Sequence, residues 1–432
     1  MTKINLEQDA LEVILGLEIE EIQDLCLTNE LYIKVYNQNK EYICEKSLEK
    51  YQVEYSDPTN FIYIFNNKSI SEFKTEYGFD YIGIFNLYNI WFKSKKMCFS
   101  DMGITSFPVY PYMTELTCCD NLLTSFPVQP KMKIFNGSHN KLESFPVQPE
   151  MTHFYGSYNQ LTTFPVQSEM TDFSGYNNKL TSFDSQPNMK VFYGKNNQLT
   201  SFPIQPEMTH FYGDHNYLAS FPIQPKMTRF YGSNNKLESF PVQPEMTHFY
   251  GGYNSLTSFP VQPEMTDFSG NYNELTSFDS QPNMIEFYGE NNKLTSFPVQ
   301  PKMTHFYGSS NQLTTFPVQP EMIYFFGENN KLEYFPTQTN MRRFDGDYNI
   351  LTSFTLQPKM VHFYANRNKL TSFPVQPNMT CFQGNSNEMT SFPVQQSMTH
   401  FWGEDNQFAS FPVQPVMKYF TGLKIKNKEQ VK

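Results

Sequence analysis

Residues 140–160 have the sequence NKLESFPVQPEMTHFYGSYNQ, and versions of this stretch recur every 19 residues from about residue 104 to residue 422. A single leucine position marks the interval from Leu142 to Leu370, and apolar residues continue it in both directions to give seventeen anchors. Such a fixed interval defines an internal repeat, and a repeat of this length predicts an array of stacked units. The array therefore decides the fold of most of the chain.

Counted from its methionine, the unit is M-T-x-F-Y-G-x-x-N-x-L-T-S-F-P-V-Q-P-x. Position 1 is always Met, position 14 is always Phe, and position 4 is Phe except in the first unit, where it is Leu116. Position 9 is Asn in every complete unit, and position 6 is Gly except at Cys118 and Ala365. The apolar positions are the predicted core, and the glycine gives the bulky Phe of position 4 room in a densely packed interior.

Around position 4 the pattern alternates, so positions 3 and 5 point to one side of a strand and position 4 points to the other. One unit is too short to bury its apolar side alone, and it must stack on its neighbours to form a parallel sheet. The segment FPVQP contains two prolines, which favour an extended polyproline conformation on the return side of the unit. A unit of 19 residues therefore needs no helix.

The asparagine of position 9 is predicted to bond the backbone of the turn that leaves the strand. Stacked units would then form a buried asparagine ladder, and the loss of one amide would cost about 1–3 kcal/mol. The predicted ladder includes Asn140, Asn159, Asn178, Asn197, Asn216 and Asn235.

The spacing resembles the leucine-rich repeat, L-x-x-L-x-L-x-x-N-x-L, and is most similar to the short Pro-rich repeats of bacterial secreted effectors and giant DNA viruses. The resemblance covers about three quarters of the chain. It implies a repeat solenoid, a horseshoe with a parallel β-sheet on the concave face and an extended, polyproline-like convex side. It also implies that positions 3, 5, 7 and 8 open onto a protein-binding concave face.

Residues 1–50 have a helical period and resemble the F-box, which docks on the adaptor of a cullin-RING ubiquitin ligase. The matching, predicted adaptor-binding residues are Ile14, Leu15, Leu17, Ile22 and Leu25. The alternative interpretation is a plain helical cap that covers the apolar edge of the first unit. The predicted boundaries are a small α-helical head at 1–50, a connecting and capping region at 51–96, the repeat array at 97–422 and a C-terminal tail at 423–432.

Aromatic residues recur at position 5, where they would form a broken row on the concave face. Functionally they would anchor a protein partner, because Tyr and Trp dominate interface hot spots. Structurally they would be cross-strand pairs that stabilise the sheet. The segment MRRFDGDYN departs most from the repeat and is the preferred contact point. The predicted partner-binding residues are Tyr155, Tyr193, Tyr212, Tyr231, Tyr250, Tyr288, Tyr307, Arg342, Arg343, Tyr364 and Trp402.

Composition excludes several functions. The net charge is −11 with only 17% charged residues, which does not suit nucleic-acid binding. No apolar run approaches a membrane span, and the acidic start is no signal peptide, so we expect an intracellular, cytoplasmic protein (in a host cell if the source is viral). The histidines are spaced too widely to close a zinc site, and no catalytic motif occurs, so we expect no metal, cofactor or enzymatic activity.

The sequence therefore predicts a non-catalytic protein-binding solenoid whose partner it does not identify. In one reading it recruits substrates to a cullin-RING ubiquitin ligase through its head. In the alternative reading it is an interaction scaffold or decoy, and the head is only a structural cap.

Overall fold

The computed structural model describes residues 95–422 apart from Met102, Pro108 and Pro111. The predicted F-box-like head, almost all of the connecting region and the C-terminal tail lie outside the described residues. The described chain forms two compact units. Unit 1 comprises residues 95–180 and 186–188, and unit 2 comprises residues 181–185 and 189–422.

Unit 1 contains five parallel strands of three residues each. Neighbouring strands pair in register at an offset of one repeat, so that Phe154 lies opposite Phe135 and Phe173. The strands are β1 Lys96–Cys98, β2 Glu115–Thr117, β3 Ile134–Asn136, β4 His153–Tyr155 and β5 Asp172–Ser174.

Unit 2 repeats this arrangement over thirteen strands, which also pair in parallel at an offset of one repeat. They are β6 Val191–Tyr193, β7 His210–Tyr212, β8 Arg229–Tyr231, β9 His248–Tyr250, β10 Asp267–Ser269, β11 Glu286–Tyr288, β12 His305–Tyr307, β13 Tyr324–Phe326, β14 Arg343–Asp345, β15 His362–Tyr364, β16 Cys381–Gln383, β17 His400–Trp402 and β18 Tyr419–Thr421. Within the described part of the chain no residue is helical. Each unit is a parallel β-solenoid, as the repeat predicts.

The strands occupy positions 3 to 5 of the repeat and bury their middle residue. Phe230 of β8 is fully buried while its neighbours Arg229 and Tyr231 keep part of their surface, which is the alternation expected of a strand with one solvated face. One strand lies before the first complete unit: in β1, Met97 takes the place of the position-4 residue and pairs with Leu116.

Two stacks of phenylalanine rings fill the core of each unit. In unit 2 the rings of Phe230 and Phe249, from position 4, stack with centroids 5.3 Å apart. Phe240 and Phe259, from position 14, stack at 5.9 Å. The two stacks meet edge to face, with Phe240 and Phe249 at 4.9 Å and an interplanar angle of 67°. Offset and T-shaped contacts are the favoured geometries of aromatic pairs, so the bulk of Phe is accommodated without face-to-face repulsion.

The glycine of position 6 makes room for this packing. A Cβ atom on Gly232 would lie 2.3 Å from Cζ of Phe230, the position-4 ring of the same repeat. The first repeat has the smaller Leu116 at position 4, and there position 6 is Cys118, which is fully buried. In this repeat a smaller residue at position 4 accompanies a larger one at position 6, whereas Ala365 shares its repeat with the buried Phe363.

Two rows of buried amides bind the repeats to one another. The Asn216 side chain accepts a hydrogen bond from the Leu199 amide at 3.0 Å and donates to the Gly194 and Gly213 carbonyls. The predicted asparagine ladder residues in both units make this type of contact. A second row lies at position 17, where each Gln is fully buried. For example, Gln243 accepts from the Gln224 amide at 2.7 Å and donates to the Pro222 carbonyl at 3.0 Å.

Candidate protein-binding face

The side chains of positions 3 and 5 project from one side of the strands, and we call this side the sheet face. Its residues are mostly half-buried, because each lies between the equivalent side chains of the two neighbouring strands. The opposite side of the strands carries the fully buried phenylalanines of position 4. The sheet face is therefore the surface of the strands that a partner can reach.

In unit 2 the position-5 tyrosines form two continuous stacks. The first stack consists of Tyr193, Tyr212, Tyr231 and Tyr250, with successive ring centroids 4.4, 4.6 and 4.6 Å apart. The second stack consists of Tyr288, Tyr307 and Phe326, with centroids 4.5 and 4.7 Å apart. Interplanar angles of 13° or less make these parallel rows of rings. The strand spacing sets this separation, since in-register parallel strands are about 4.8 Å apart.

Several tyrosine hydroxyls in these stacks are held in the protonated form by a raised pKa. Burial raises the pKa of Tyr231 and of Tyr250 above the usual value for a phenol, and the neighbouring tyrosines raise it further. Burial and the hydrogen bond from its hydroxyl to Glu286 likewise raise the pKa of Tyr288. The stacks therefore present neutral hydrogen-bond donors beside apolar rings, which is the character of interface anchors.

Arg343 extends the second stack in place of a ring. Position 5 of its strand is Asp345, which is too small to stack, and the guanidinium of Arg343 fills the space. Its Cζ atom lies 4.9 Å from the Phe326 ring centroid and 4.7 Å from that of Tyr364. It also donates a hydrogen bond to Asp345 at 3.1 Å. A planar cation between two aromatic faces is a favourable arrangement for arginine.

Asp345 is the most strongly perturbed acid on this face. Burial, reinforced by the nearby carboxylate of Glu328, raises its pKa to about 7, against a lowering contribution from the hydrogen bond to Arg343. Its exposed fraction is only 7%. The segment MRRFDGDYN, the preferred contact point from the sequence, thus contains a buried carboxyl group and a stacked guanidinium. Of the two arginines, Arg342 is the exposed one; it lies at position 2, before the strand begins.

Histidines at position 3 are oriented by the preceding threonine. The Thr247 hydroxyl donates to the Thr228 carbonyl at 3.1 Å, and its oxygen lies 2.8 Å from Nδ1 of His248. The Thr247 hydroxyl therefore links the His248 ring to the backbone of the preceding repeat. The same contact occurs at His153, His210, His305 and His400.

The loop after each strand has a fixed backbone conformation. Position 8 is left-handed in every described repeat, with φ near 55° at residues as bulky as Tyr253. Position 7 side chains then bond along the array: Asp347 accepts from the Asn366 amide at 2.7 Å, and Asn366 accepts from the Asn385 amide at 2.9 Å. The sequence places positions 7 and 8 on the binding face, but the position-7 amides and carboxylates of this stretch are engaged within the array.

The predicted partner-binding residues are not all brought together. Tyr155 lies in unit 1 between Asn136 and Ser174, neither of which has an aromatic ring. Trp402 lies near the last described strand, where it stacks on His400 with centroids 5.7 Å apart and makes a tilted contact with Tyr419 at 5.2 Å. The candidate site is therefore the pair of tyrosine stacks and the Arg343 segment of unit 2.

Sequence reasoning missed the Gln row of position 17 and the role of Ser269. Position 17 is Gln in every unit from Gln129 to Gln414. This invariance of a polar residue was the signal from which the buried row could have been predicted. Ser269 separates the two tyrosine stacks, pairing with Tyr250 on one side and Tyr288 on the other. Its significance depends on which rings stack, and only the structure shows this.

The described residues contain no arrangement typical of a metal site or a membrane-spanning helix. Among them, no three His, Cys, Asp or Glu side chains converge as a metal site would require. Residues 95–422, where described, include no helix that could cross a membrane.

Comparison with known proteins identifies the fold. No protein-family model matches the chain, and no curated protein sequence does. Solved structures are similar: YopM from Yersinia enterocolitica has a TM-score of 0.52 at 17% identity, covering 77% of this chain and 92% of YopM. A leucine-rich-repeat protein of Leptospira interrogans has a TM-score of 0.51 at 16% identity, covering 73% and 91%.

The Toll–Spätzle complex of Drosophila is also similar, with a TM-score of 0.51 at 15% identity, covering 71% of this chain and 48% of the matched chain. At these identities the likeness shows the fold alone. The predicted fold class is confirmed: the protein is a leucine-rich-repeat-like parallel β-solenoid.

Proposed function

We propose that this leucine-rich-repeat solenoid binds a protein partner on the sheet face of unit 2 and that it acts without catalysis. The observation that carries the proposal is the pair of tyrosine stacks, which hold apolar rings and neutral hydroxyl donors in fixed positions. A rigid row of aromatic side chains loses little conformational entropy when a partner binds. Solenoids of this fold commonly mediate protein–protein interactions, and the Toll–Spätzle structure is a complex between two proteins.

A second apolar row offers a matched control surface. The Val and Ile side chains of position 16 lie outside the strands and are exposed, for example Val242 at 43%. They recur at the same interval as the tyrosines but lack hydroxyl donors and do not stack as rings. Binding at the tyrosine stacks and binding at the position-16 row can therefore be distinguished by single substitutions.

Site-specific photo-crosslinking tests the proposal. A photoreactive phenylalanine analogue replaces Tyr231 in one full-length variant and Val242 in another, and both are exposed to a cell extract. We expect one protein to crosslink through position 231 and not through position 242. The crosslinked protein is then purified, and Tyr231→Asp should weaken its binding at least tenfold. Crosslinking through position 242 alone, or undiminished binding by Tyr231→Asp, would contradict the proposal.

Recruitment to a cullin-RING ubiquitin ligase is the more specific form of this function. It rests on the F-box resemblance of residues 1–50, which lie outside the described residues. Co-purification of the adaptor with the full-length chain, and not with residues 97–432, would support it. Binding by neither would favour a scaffold or decoy whose head is a cap. Placement inside the cell likewise remains a prediction from the sequence.

A further inference from the structure

We infer that the gap at Ser269 is a slot for an arginine side chain of the protein partner. The inference rests on the proposed function, since it assigns the chemistry of one contact on the same sheet face. Ser269 occupies position 5 between Tyr250 and Tyr288, so the first tyrosine stack ends on one side of it and the second begins on the other.

The width of the gap fits one planar group. Tyr250 and Tyr288 are two strand spacings apart, which places their rings about 9 Å from one another. Adjacent rings in the two stacks are separated by 4.4 to 4.7 Å. One layer of ring thickness is therefore missing over Ser269, and the side chain of Ser269 is too short to fill it.

The same face contains an equivalent gap that is filled by a guanidinium. Phe326 and Tyr364 are also two strands apart, with the short Asp345 between them. The guanidinium of Arg343 lies between those rings, 4.9 and 4.7 Å from their centroids. This arrangement shows that a two-strand gap in the aromatic row accepts a guanidinium group. At Ser269 the corresponding position-3 residue is Asp267, so the chain supplies no arginine of its own from that strand.

The charges around the Ser269 slot favour a cation. Asp267 and Glu286 lie at position 3 on adjacent strands, β10 and β11, directly beside the slot. Oδ2 of Asp267 accepts a hydrogen bond from Thr266 at 2.5 Å and is 3.5 Å from Nε2 of His248. Oε2 of Glu286 accepts the Tyr288 hydroxyl at 3.0 Å.

The other oxygen of each carboxylate remains available to a donor from the partner. For the described residues, Oδ1 of Asp267 has no hydrogen-bond donor, and Oε1 of Glu286 has only the distant Nδ1 of His305, at 4.0 Å. Fixed cations at position 3 are farther away: Arg229 lies two strands before Asp267, and Arg343 lies three strands after Glu286. A neutral aromatic ring would fill the slot equally well, but it would leave these two carboxylates without a counter-charge. A guanidinium satisfies both requirements, because it is planar and carries five N–H donors.

The first test uses the peptide acetyl-Gly-Arg-Gly-amide as a probe of the full-length protein at low salt. Its citrulline, lysine and phenylalanine counterparts serve as comparisons, and binding is measured by ligand-observed saturation-transfer NMR. We expect the arginine peptide to bind at least fivefold more tightly than each of the others, with a dissociation constant in the millimolar range typical of a single cation–π contact. Equal binding of citrulline or phenylalanine, or no detectable binding of the arginine peptide, would overturn the inference.

Two variants assign the binding to the slot. Ser269→Tyr completes the row of rings, so it should raise the melting temperature and reduce arginine binding at least tenfold. Ser309→Tyr is the matched control: it adds a tyrosine at position 7, where Tyr176 occurs naturally, and should leave binding unchanged. Asp267→Asn together with Glu286→Gln should abolish the preference for arginine over citrulline. Unchanged arginine binding by Ser269→Tyr would overturn the inference whatever its stability.

The slot and the proposed function can fail separately. A partner identified by crosslinking at Tyr231 whose affinity is unaffected by Ser269→Tyr would exclude the arginine slot while leaving the binding face intact. A partner whose affinity falls at least tenfold with Ser269→Tyr, and equally when its own contacting arginine is changed to Lys, would support both.

Discussion

At the scale of single residues, the array depends on polar side chains that are buried and repeated. The Gln side chain of position 17 joins two neighbouring repeats, because it accepts from a backbone amide of the preceding repeat and donates to a backbone carbonyl of that same repeat. A buried backbone group that loses its partner costs more than the hydrogen bond contributed, since it was removed from water without compensation. The extended FPVQP segment forms no sheet, so its backbone groups depend on these side-chain amides for hydrogen-bond partners.

Gln243→Met is expected to destabilise unit 2 by about 3 kcal/mol, because it leaves the Gln224 amide and the Pro222 carbonyl unpaired while keeping the side-chain volume. Chemical denaturation of the full-length protein measures the change. Val242→Thr, one residue earlier and exposed, is the control and should cost less than 0.5 kcal/mol, about the usual effect of a surface substitution. Equal effects of the two substitutions would contradict the assigned role of the Gln row.

Position 6 and position 4 are predicted to be energetically coupled. Gly232→Cys should cost about 1–3 kcal/mol, because its Cβ atom would lie 2.3 Å from the Phe230 ring. Phe230→Leu alone leaves a cavity and should cost a similar amount or more. The double variant reproduces the natural pair Leu116 and Cys118, and it should be more stable than the sum of the two single effects by at least 1 kcal/mol. Additive effects in a double-mutant cycle would show that the pairing in the first repeat is coincidental.

Asp345 predicts a pH dependence of stability. Its folded pKa of about 7 lies above the ordinary value of 3.8, so between about pH 4 and pH 7 the folded protein holds a proton that the unfolded chain has lost. Stability should therefore fall as the pH rises through that window, by at most about 4 kcal/mol. Asp345→Asn keeps an acceptor for Arg343 and should flatten the decline, with melting temperatures measured from pH 4 to 8. If the stability of Asp345→Asn fell by the same amount over this pH range, other titrating groups would be responsible for the pH dependence.

At the scale of elements, three-residue strands place the rings of position 5 one strand spacing apart, and a substitution at that position interrupts the row. Two such interruptions in unit 2 differ, because one is filled by a side chain of the protein itself and the other is not. At Asp345 the gap is filled by Arg343, and at Ser269 it is bounded by Tyr250 and Tyr288 with carboxylates beside it. The geometry of one gap therefore predicts what the other can bind.

Arg343→Ala should empty the natural guanidinium site and cost about 1–2 kcal/mol, between the values of exposed and desolvated cation–π contacts, because the side chain is 37% exposed. Added guanidinium chloride at low millimolar concentration should then raise the melting temperature of this variant while leaving that of the wild type unchanged or lower. Arg229→Ala is the matched control, since it removes another position-3 arginine, whose side chain is exposed. Failure of guanidinium to stabilise Arg343→Ala would contradict the slot geometry at both gaps.

At the scale of the whole molecule, the repeat length alone predicts the solenoid, because a 19-residue unit with one apolar strand position cannot bury its core without neighbours. Strand position, parallel pairing and the buried Phe of position 4 also follow from the alternation. Which tyrosines stack was only partly predictable, because that depends on the neighbour in register. The orientation of Arg343 toward Asp345 and across the row of rings was not predictable, because it is a choice of rotamer made by the surrounding side chains.

The most direct test of the account compares two triple variants for affinity toward the partner found by crosslinking at Tyr231. In the sheet-face variant Tyr212, Tyr231 and Tyr250 become Ser, the residue found naturally at Ser269. In the control variant Ile223, Val242 and Val261 of position 16 become Ser, the residue found naturally at Ser280.

With both variants shown to be folded by circular dichroism, titration calorimetry should give at least a hundredfold loss of affinity for the sheet-face variant and less than a threefold loss for the control. A greater loss in the position-16 variant would place the binding surface elsewhere and contradict the central claim.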